Sequence, residues 1–198
     1  MPCDQGFYIY SITKTLVAAA VLKLADEQKL ELTNTVKNLL GYDWLSDKIT
    51  VLHLLNHTSG LPEYTEIDAI RRLAQTPHSK ALSDANILEC IAHLPPLFQP
   101  GEGWQYTNTG YMLLRMLIEK LTDEGFYDAM QRLLFQPLGL THTRVVTGMG
   151  KPEVTPGYSK EFYQSDDLVK VNDSYDPNWV KTGLVASTVG DMTLLFSQ

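Results

Sequence analysis

This 198-residue chain holds two cysteines, Cys3 and Cys90, too few and too far apart for a disulfide framework or a thiolate metal site. Both are expected to be ordinary free thiols, which leaves the redox compartment open. Positive charge is scarce as well: sixteen Lys and Arg against twenty-three Asp and Glu give a net charge of −7. The basic residues are scattered, with Arg71-Arg72 the one adjacent pair, so a broad nucleic-acid or anionic-membrane surface is excluded. Long apolar runs are missing too. Leu16 to Leu22 is followed by Lys23, Asp26 and Glu27, far short of a bilayer span, so no transmembrane segment is expected. Met1-Pro2-Cys3-Asp4 lacks the basic-then-apolar pattern of a signal peptide, and the compartment stays unassigned. Internal repeats and low-complexity segments are absent. The sequence does have a 44% hydrophobic share beside 20% charged residues, enough for a core in a soluble globular domain.

Periodicity predicts a mainly helical chain with a few short strands, an α+β class. Phe7-Tyr8-Ile9-Tyr10 is aromatic and β-branched and favours extended backbone. Residues 11–28 read as a helix apolar on nearly every face, the pattern of a helix at the centre of a fold. Further helices are expected over 36–40, from Thr50 to His57 before Gly60 and Pro62, and over 67–74. Others run from the Ser83 cap to about His93 before Pro95-Pro96, over 109–121, and over 126–135 before Pro137 and Gly139. Val145-Val146 and Gly157-Tyr158 are strand candidates. Thr188-Val189-Gly190-Asp191 has the form of a capping box and starts a last helix over 192–196.

The chemistry-bearing signal is Ser11-Ile12-Thr13-Lys14. A serine hydroxyl is a poor nucleophile until a neighbouring base takes its proton. Positions three apart share a helix face, so the Lys14 amine is expected beside the Ser11 hydroxyl. The bland alternative is a helix cap at Ser11 with Lys14 in solvent. Tyr106-Thr107-Asn108 follows the Pro100-Gly101 turn and precedes a helix, which sets a phenol and an amide on a held loop. Taken singly, Tyr106 could equally be a core tyrosine and Asn108 a cap.

Five stretches in chain order resemble the serine β-lactamase and penicillin-binding-protein family, in particular its class C and esterase-like branch. They are Tyr10 through Thr15, Leu54 through Pro62, Phe98 through Asn108, Leu133 through Thr143, and Gly183 through Thr188 with Asp191. The resemblance implies the helical region of the β-lactamase/transpeptidase-like fold with an incomplete antiparallel sheet. It implies one domain over 1–198, partial at both ends, with strands missing ahead of Ser11 and a third-motif strand beyond Gln198. By position, Ser11 resembles the nucleophile and Lys14 the residue that keeps its proton mobile. Tyr106 resembles the general base and acid, and Asn108 the amide that orients Lys14 and the substrate. The Ser11 amide resembles one oxyanion donor.

The implied reaction is attack on an amide, lactam or ester carbonyl of a small molecule or peptide through an acyl-serine, with no metal and no cofactor. Without a third motif, acylation is expected to be slow. Unpaired strand edges imply self-association. The alternative is a non-catalytic or truncated member acting as a binding or interaction module.

Other residues are read more plainly. Lys181-Thr182-Gly183 has the letters of the family's third motif. The segment after it, Leu184 to Thr188, reads as leading into a helix rather than continuing as a strand, so the match is not adopted and a catalytic part for it is left open. His53 and His57 are four apart, a spacing seen in metal sites, but no third ligand accompanies them and packed or capping roles are expected. Ser59 lacks the Gly-x-Ser-x-Gly frame and fits a turn. Asp166-Asp167 reads as a solvated loop; Trp44, Trp104 and Trp179 could line a pocket, with core packing the default for large aromatics.

Overall fold

Leu16, Val17, Ala20, Val21 and Leu24 recur at helical spacing, and in the computed structural model all five are wholly buried. They lie on α1 (Thr13–Asp26). The structure describes residues 5–146, 154–160, 162, 163 and 165–197. Cys3 is outside them, while Cys90 is a free, exposed thiol. After α1 come α2 (Val36–Leu40), α3 (Val51–Leu55), α4 (Asp68–Ala74), α5 (Asp84–Ala92) and α6 (Asn108–Thr122). Then follow α7 (Phe126–Met130), which runs on into a π-helical turn over Gln131–Phe135, α8 (Val171–Ser174) and α9 (Val189–Phe196).

The hub is α6. Met112, Leu113, Leu114, Leu117 and Ile118 are wholly buried, and α1, α3 and α7 all pack against it. A helix covered on most faces holds its first residues in a fixed place, and α6 begins at Asn108.

Among the described residues the strands form two small antiparallel sheets. β1 (Phe7–Tyr8), β2 (Arg144–Val146) and β5 (Leu184–Ser187) make the larger one, with β5 in the middle. Its register pairs Phe7 with Ser187 on one side and Val145 with Val185 on the other. β3 (Tyr158–Ser159) pairs with β4 (Val169–Lys170). The fold is thus α+β and mainly helical, as expected.

Two local expectations are corrected. Leu184 to Ser187 is a strand, not merely the approach to a helix, and all four of its residues are buried. A strand covered on both faces loses the apolar–polar alternation that would mark it. Its helix does follow: Thr188 accepts from the Asp191 amide at 3.2 Å and α9 starts there. The Asp191 carboxylate, however, does not close the capping box. It accepts instead from the His142 amide at 2.9 Å and from Thr143 at 2.7 Å.

The second correction concerns Ser11, which is not on the α-helix. It sits in a 3-10 turn, Tyr10–Ile12, that feeds directly into α1. Tyr10 has φ 40°, an uncommon left-handed backbone for a bulky residue. That bend lets the chain leave β1 and enter the turn within two residues.

Candidate active site

The turn presents Ser11 to solvent while Lys14, one turn on, is buried at 6% exposure. The Lys14 amine lies 3.4 Å from Ser11 Oγ and donates to Asn108 Oδ1 at 2.7 Å. It also faces two aromatic rings, 4.8 Å from the centre of Tyr106 and 5.7 Å from that of Tyr111, a favourable setting for a cation. The Tyr106 hydroxyl donates to Ser11 Oγ at 2.9 Å. Ser11, Lys14, Tyr106 and Asn108, drawn from opposite halves of the chain, therefore meet at one point.

Two supports fix that point. Residues 57–60 run beside the loop that carries Tyr106. Gly60 O accepts from Leu97 N at 2.9 Å, Thr58 O from Gly101 N at 2.9 Å, and His57 O from Gln105 N at 3.0 Å. Gly60 has φ 72°, and a Cβ there would fall 2.0 Å from Phe98 O, so only glycine fits. The second support is Glu63. One carboxylate oxygen accepts from the Asn108 backbone amide, the other from Asn108 Nδ2 at 3.2 Å. With both amide donors taken by Glu63, the Asn108 carbonyl oxygen is turned to Lys14.

The residues 53–63 contribute more than the sequence indicated. His53 is a cap: its amide donates to Thr50 Oγ1 at 3.3 Å, and its ring nitrogen accepts from Thr50 N at 3.3 Å. His57 packs its ring against Tyr106 and Tyr111, with centroids 4.7 and 5.1 Å apart. The packed and capping roles hold. Ser59 is buried in its turn, where its hydroxyl accepts from Leu61 N at 3.4 Å. Glu63 and His57 were missed as parts of the site. The signal available was that both lie in or next to the Leu54–Pro62 stretch.

Trp104 is a further correction. It is 65% exposed and meets the His57 ring edge-on at 6.1 Å, because the Pro100-Gly101 turn carries it outward. Trp179 is core, and Trp44 packs on the core from its edge. Asp166 and Asp167 are exposed, as expected of a solvated loop.

Lys181 belongs to another network. Its amine donates to Leu82 O at 2.6 Å and pairs with Asp84 at 3.2 Å. Asp84 also meets Arg115, which bonds Glu119 and Lys181 O. Lys181 thus ties β5 to α5 and α6, and its amine is taken up there.

The Beta-lactamase family model matches residues 1–197. Among curated proteins, penicillin-binding protein 4* of Bacillus subtilis (strain 168) is 32% identical over 164 residues, 77% of this chain and 33% of that protein. Protein flp of Staphylococcus aureus (strain N315) is 31% identical over 143 residues, 69% of this chain and 27% of that protein. Among solved structures, the D-stereospecific amidohydrolase from Streptomyces sp. superposes with a TM-score of 0.87 at 29% identity, over 97% of this chain and 60% of that one. The D-amino acid amidase from Ochrobactrum anthropi SV3 complexed with L-phenylalanine shares the fold, with a TM-score of 0.83 at 24% identity, 99% and 55% covered. The chain spans about a third of the length of the curated relatives it matches.

Proposed function

Because this chain belongs to the beta-lactamase family of serine hydrolases, we propose that it carries the acyl-serine half of an amide, lactam or ester hydrolase, with Ser11 as nucleophile. The observation that carries this reading is the convergence on Ser11 Oγ of a phenol at 2.9 Å and an amine at 3.4 Å. Ser11 Oγ bonds to the substrate carbonyl carbon as its proton passes to the Tyr106–Lys14 pair. That uptake requires the pair to have given up one proton beforehand, so the step starts from the form in which Tyr106 accepts from Ser11 rather than donates to it. The tetrahedral intermediate then collapses: the bond to nitrogen or oxygen breaks, and the leaving group takes the proton from Tyr106. Water repeats the exchange to free the acid and restore Ser11. The Ser11 amide supplies one oxyanion donor. Asn108, held by Glu63, orients Lys14 and the carbonyl side of the substrate. The step draws on these side chains alone, with no metal or cofactor assigned to it.

The substrate is a small molecule or peptide with an accessible carbonyl. The D-stereospecific amidohydrolase from Streptomyces sp., 29% identical to this chain, makes an amide of D configuration the first compound to try. The test is acylation by a fluorophosphonate probe with mass spectrometry of the adduct, together with turnover of a chromogenic ester, a cephalosporin and a D-amino-acid anilide. Adduct on Ser11 and its loss in Ser11→Ala are expected. A folded protein that takes no adduct and turns over nothing would establish the non-catalytic binding module instead. Self-association through the outer edges of β1 and β2 is part of the same proposal, and a monomer by light scattering at high concentration would remove it.

A further inference from the structure

His57 lies in a segment that touches both the Tyr106 loop and α6. Its carbonyl oxygen accepts from Gln105 N at 3.0 Å, and its ring Nδ1 accepts from Thr107 N at 3.2 Å. These two bonds bracket Tyr106, one on the residue before it and one on the residue after. The Tyr106 ring lies on the imidazole face at 4.7 Å and the Tyr111 ring at 5.1 Å. From the structure we infer that neutral His57 is a positioning residue for Tyr106, and that its protonation releases the phenol from Ser11. This rests on the catalytic reading given above.

The release follows from the imidazole's own atoms. Nδ1 can accept the Thr107 N–H only while it carries no proton. A proton there turns the acceptor into a donor facing a donor, and the bond that fixes the residue after Tyr106 is lost. The titratable and charged groups set against the ring are Lys14 from α1, Tyr106 from the loop, Tyr111 from α6 and the Glu63 carboxylate. Burial, then the Lys14 charge, hold His57 below the usual imidazole range, and Glu63 opposes them in part. The imidazole therefore takes up its proton only below its ordinary value of 6.5. His57 also sits at φ 65°, where His and Asn are tolerated better than most side chains.

Asparagine is the discriminating substitution. It accepts that backbone, places an amide oxygen close to where Nδ1 lies, and does not titrate. His57→Asn is expected to keep the rate of Ser11 labelling by a fluorophosphonate within about threefold at neutral pH, and to lose the fall in rate that the natural sequence shows as pH drops below the ordinary imidazole value of 6.5. His57→Leu, which offers no acceptor, is expected to label on the order of tenfold to a hundredfold more slowly at every pH. An acid limb unchanged in His57→Asn overturns the inference.

A second readout needs no activity. In amide-resolved NMR, the Thr107 N–H resonance is expected to move with the imidazole titration in the natural sequence and to stay flat in His57→Asn. A Thr107 amide that ignores the imidazole titration overturns the inference, whatever the probe does at Ser11. Absence of labelling in the natural sequence, with a Thr107 amide that does follow the imidazole, removes the catalytic reading and leaves the proton-sensitive contact standing.

Discussion

Two lysines of this chain are almost equally buried, Lys14 at 6% exposure and Lys181 at 7%, and they are held in opposite ways. Lys181 meets the Asp84 carboxylate and a backbone carbonyl, inside a network that also contains Arg115 and Glu119. Lys14 meets a hydroxyl, an amide oxygen and two ring faces, and the carboxylate nearest in the network, Glu63, is engaged with Asn108. A lysine locked to a carboxylate secures a fold. Under the proposed function, one ringed by neutral acceptors serves proton exchange with the serine. Motif letters alone do not separate the two cases, since Ser-x-x-Lys and Lys-Thr-Gly are both matched in this sequence.

The comparison breaks first at Lys14. Lys14→Met is expected to slow labelling of Ser11 by about a thousandfold or more, since on the proposed reading Ser11, Tyr106 and Lys14 act as a unit. Stability in the same variant is expected to change by less than about 1 kcal/mol, because no charge is left unpaired. Rate from probe labelling and stability from urea midpoints separate the two effects. A variant that labels normally would take Lys14 out of the chemistry.

Glu63→Gln is the next largest. Glutamine has one carbonyl oxygen for two Asn108 donors, so its amide must face the backbone N–H or the side-chain amide of Asn108. Either arrangement turns the Asn108 oxygen from Lys14. A loss of about tenfold to a hundredfold in labelling rate is expected, with Asn108→Ala costing no more when Glu63 is already glutamine. Additive losses in that double-variant cycle would show that Glu63 acts elsewhere.

Lys181→Met sharpens the contrast from the other side. It is expected to leave the labelling rate within a few-fold and to lower stability by about 2–3 kcal/mol. The loss stays below that for a fully isolated buried charge because Arg115 remains beside Asp84. A well-folded Lys181→Met protein that no longer labels would return Lys181-Thr182-Gly183 to the active site.

What the sequence disclosed follows from how local each interaction is. Ser11 and Lys14 are three residues apart, so helical geometry alone predicted their contact. The burial of α1 was readable because its apolar residues cover most faces. Tyr106 and Asn108 could be located from the Pro-Gly turn and the family resemblance, but nothing local says that a phenol meets a serine 95 residues away at 2.9 Å. Glu63 and His57 act through contacts across 45 and 50 residues, and each has an ordinary local role that masks the distant one. Glu63 caps the 3-10 turn Tyr64–Glu66, and His57 ends a helical segment. The bend at Tyr10 has no glycine or asparagine to announce its positive φ. Trp104 was assigned to the core on residue type, yet a tight turn overrides hydrophobicity when it points a side chain outward.

The smallest effect is on acid stability and belongs to the Lys181 side of the comparison. Burial alone would raise the Asp84 carboxyl, but Arg115 and Lys181 outweigh it and hold the group below its ordinary value of 3.8. A carboxyl with a lowered folded pKa stabilises the fold above its unfolded pKa, and that contribution fades as pH drops through the folded value. Asp84→Asn cannot titrate. At pH 6 it is expected to be less stable than the natural sequence by about 1–2 kcal/mol, the loss of one charge-assisted contact. Below about pH 4 the gap is expected to narrow, because the natural protein then gives up the same contact by protonation. Urea midpoints at pH 6 and pH 3 measure it. A gap of constant size across that range would mean that Asp84 gains nothing from its ionised form, and that the Lys181 network is held by its backbone bonds rather than by charge.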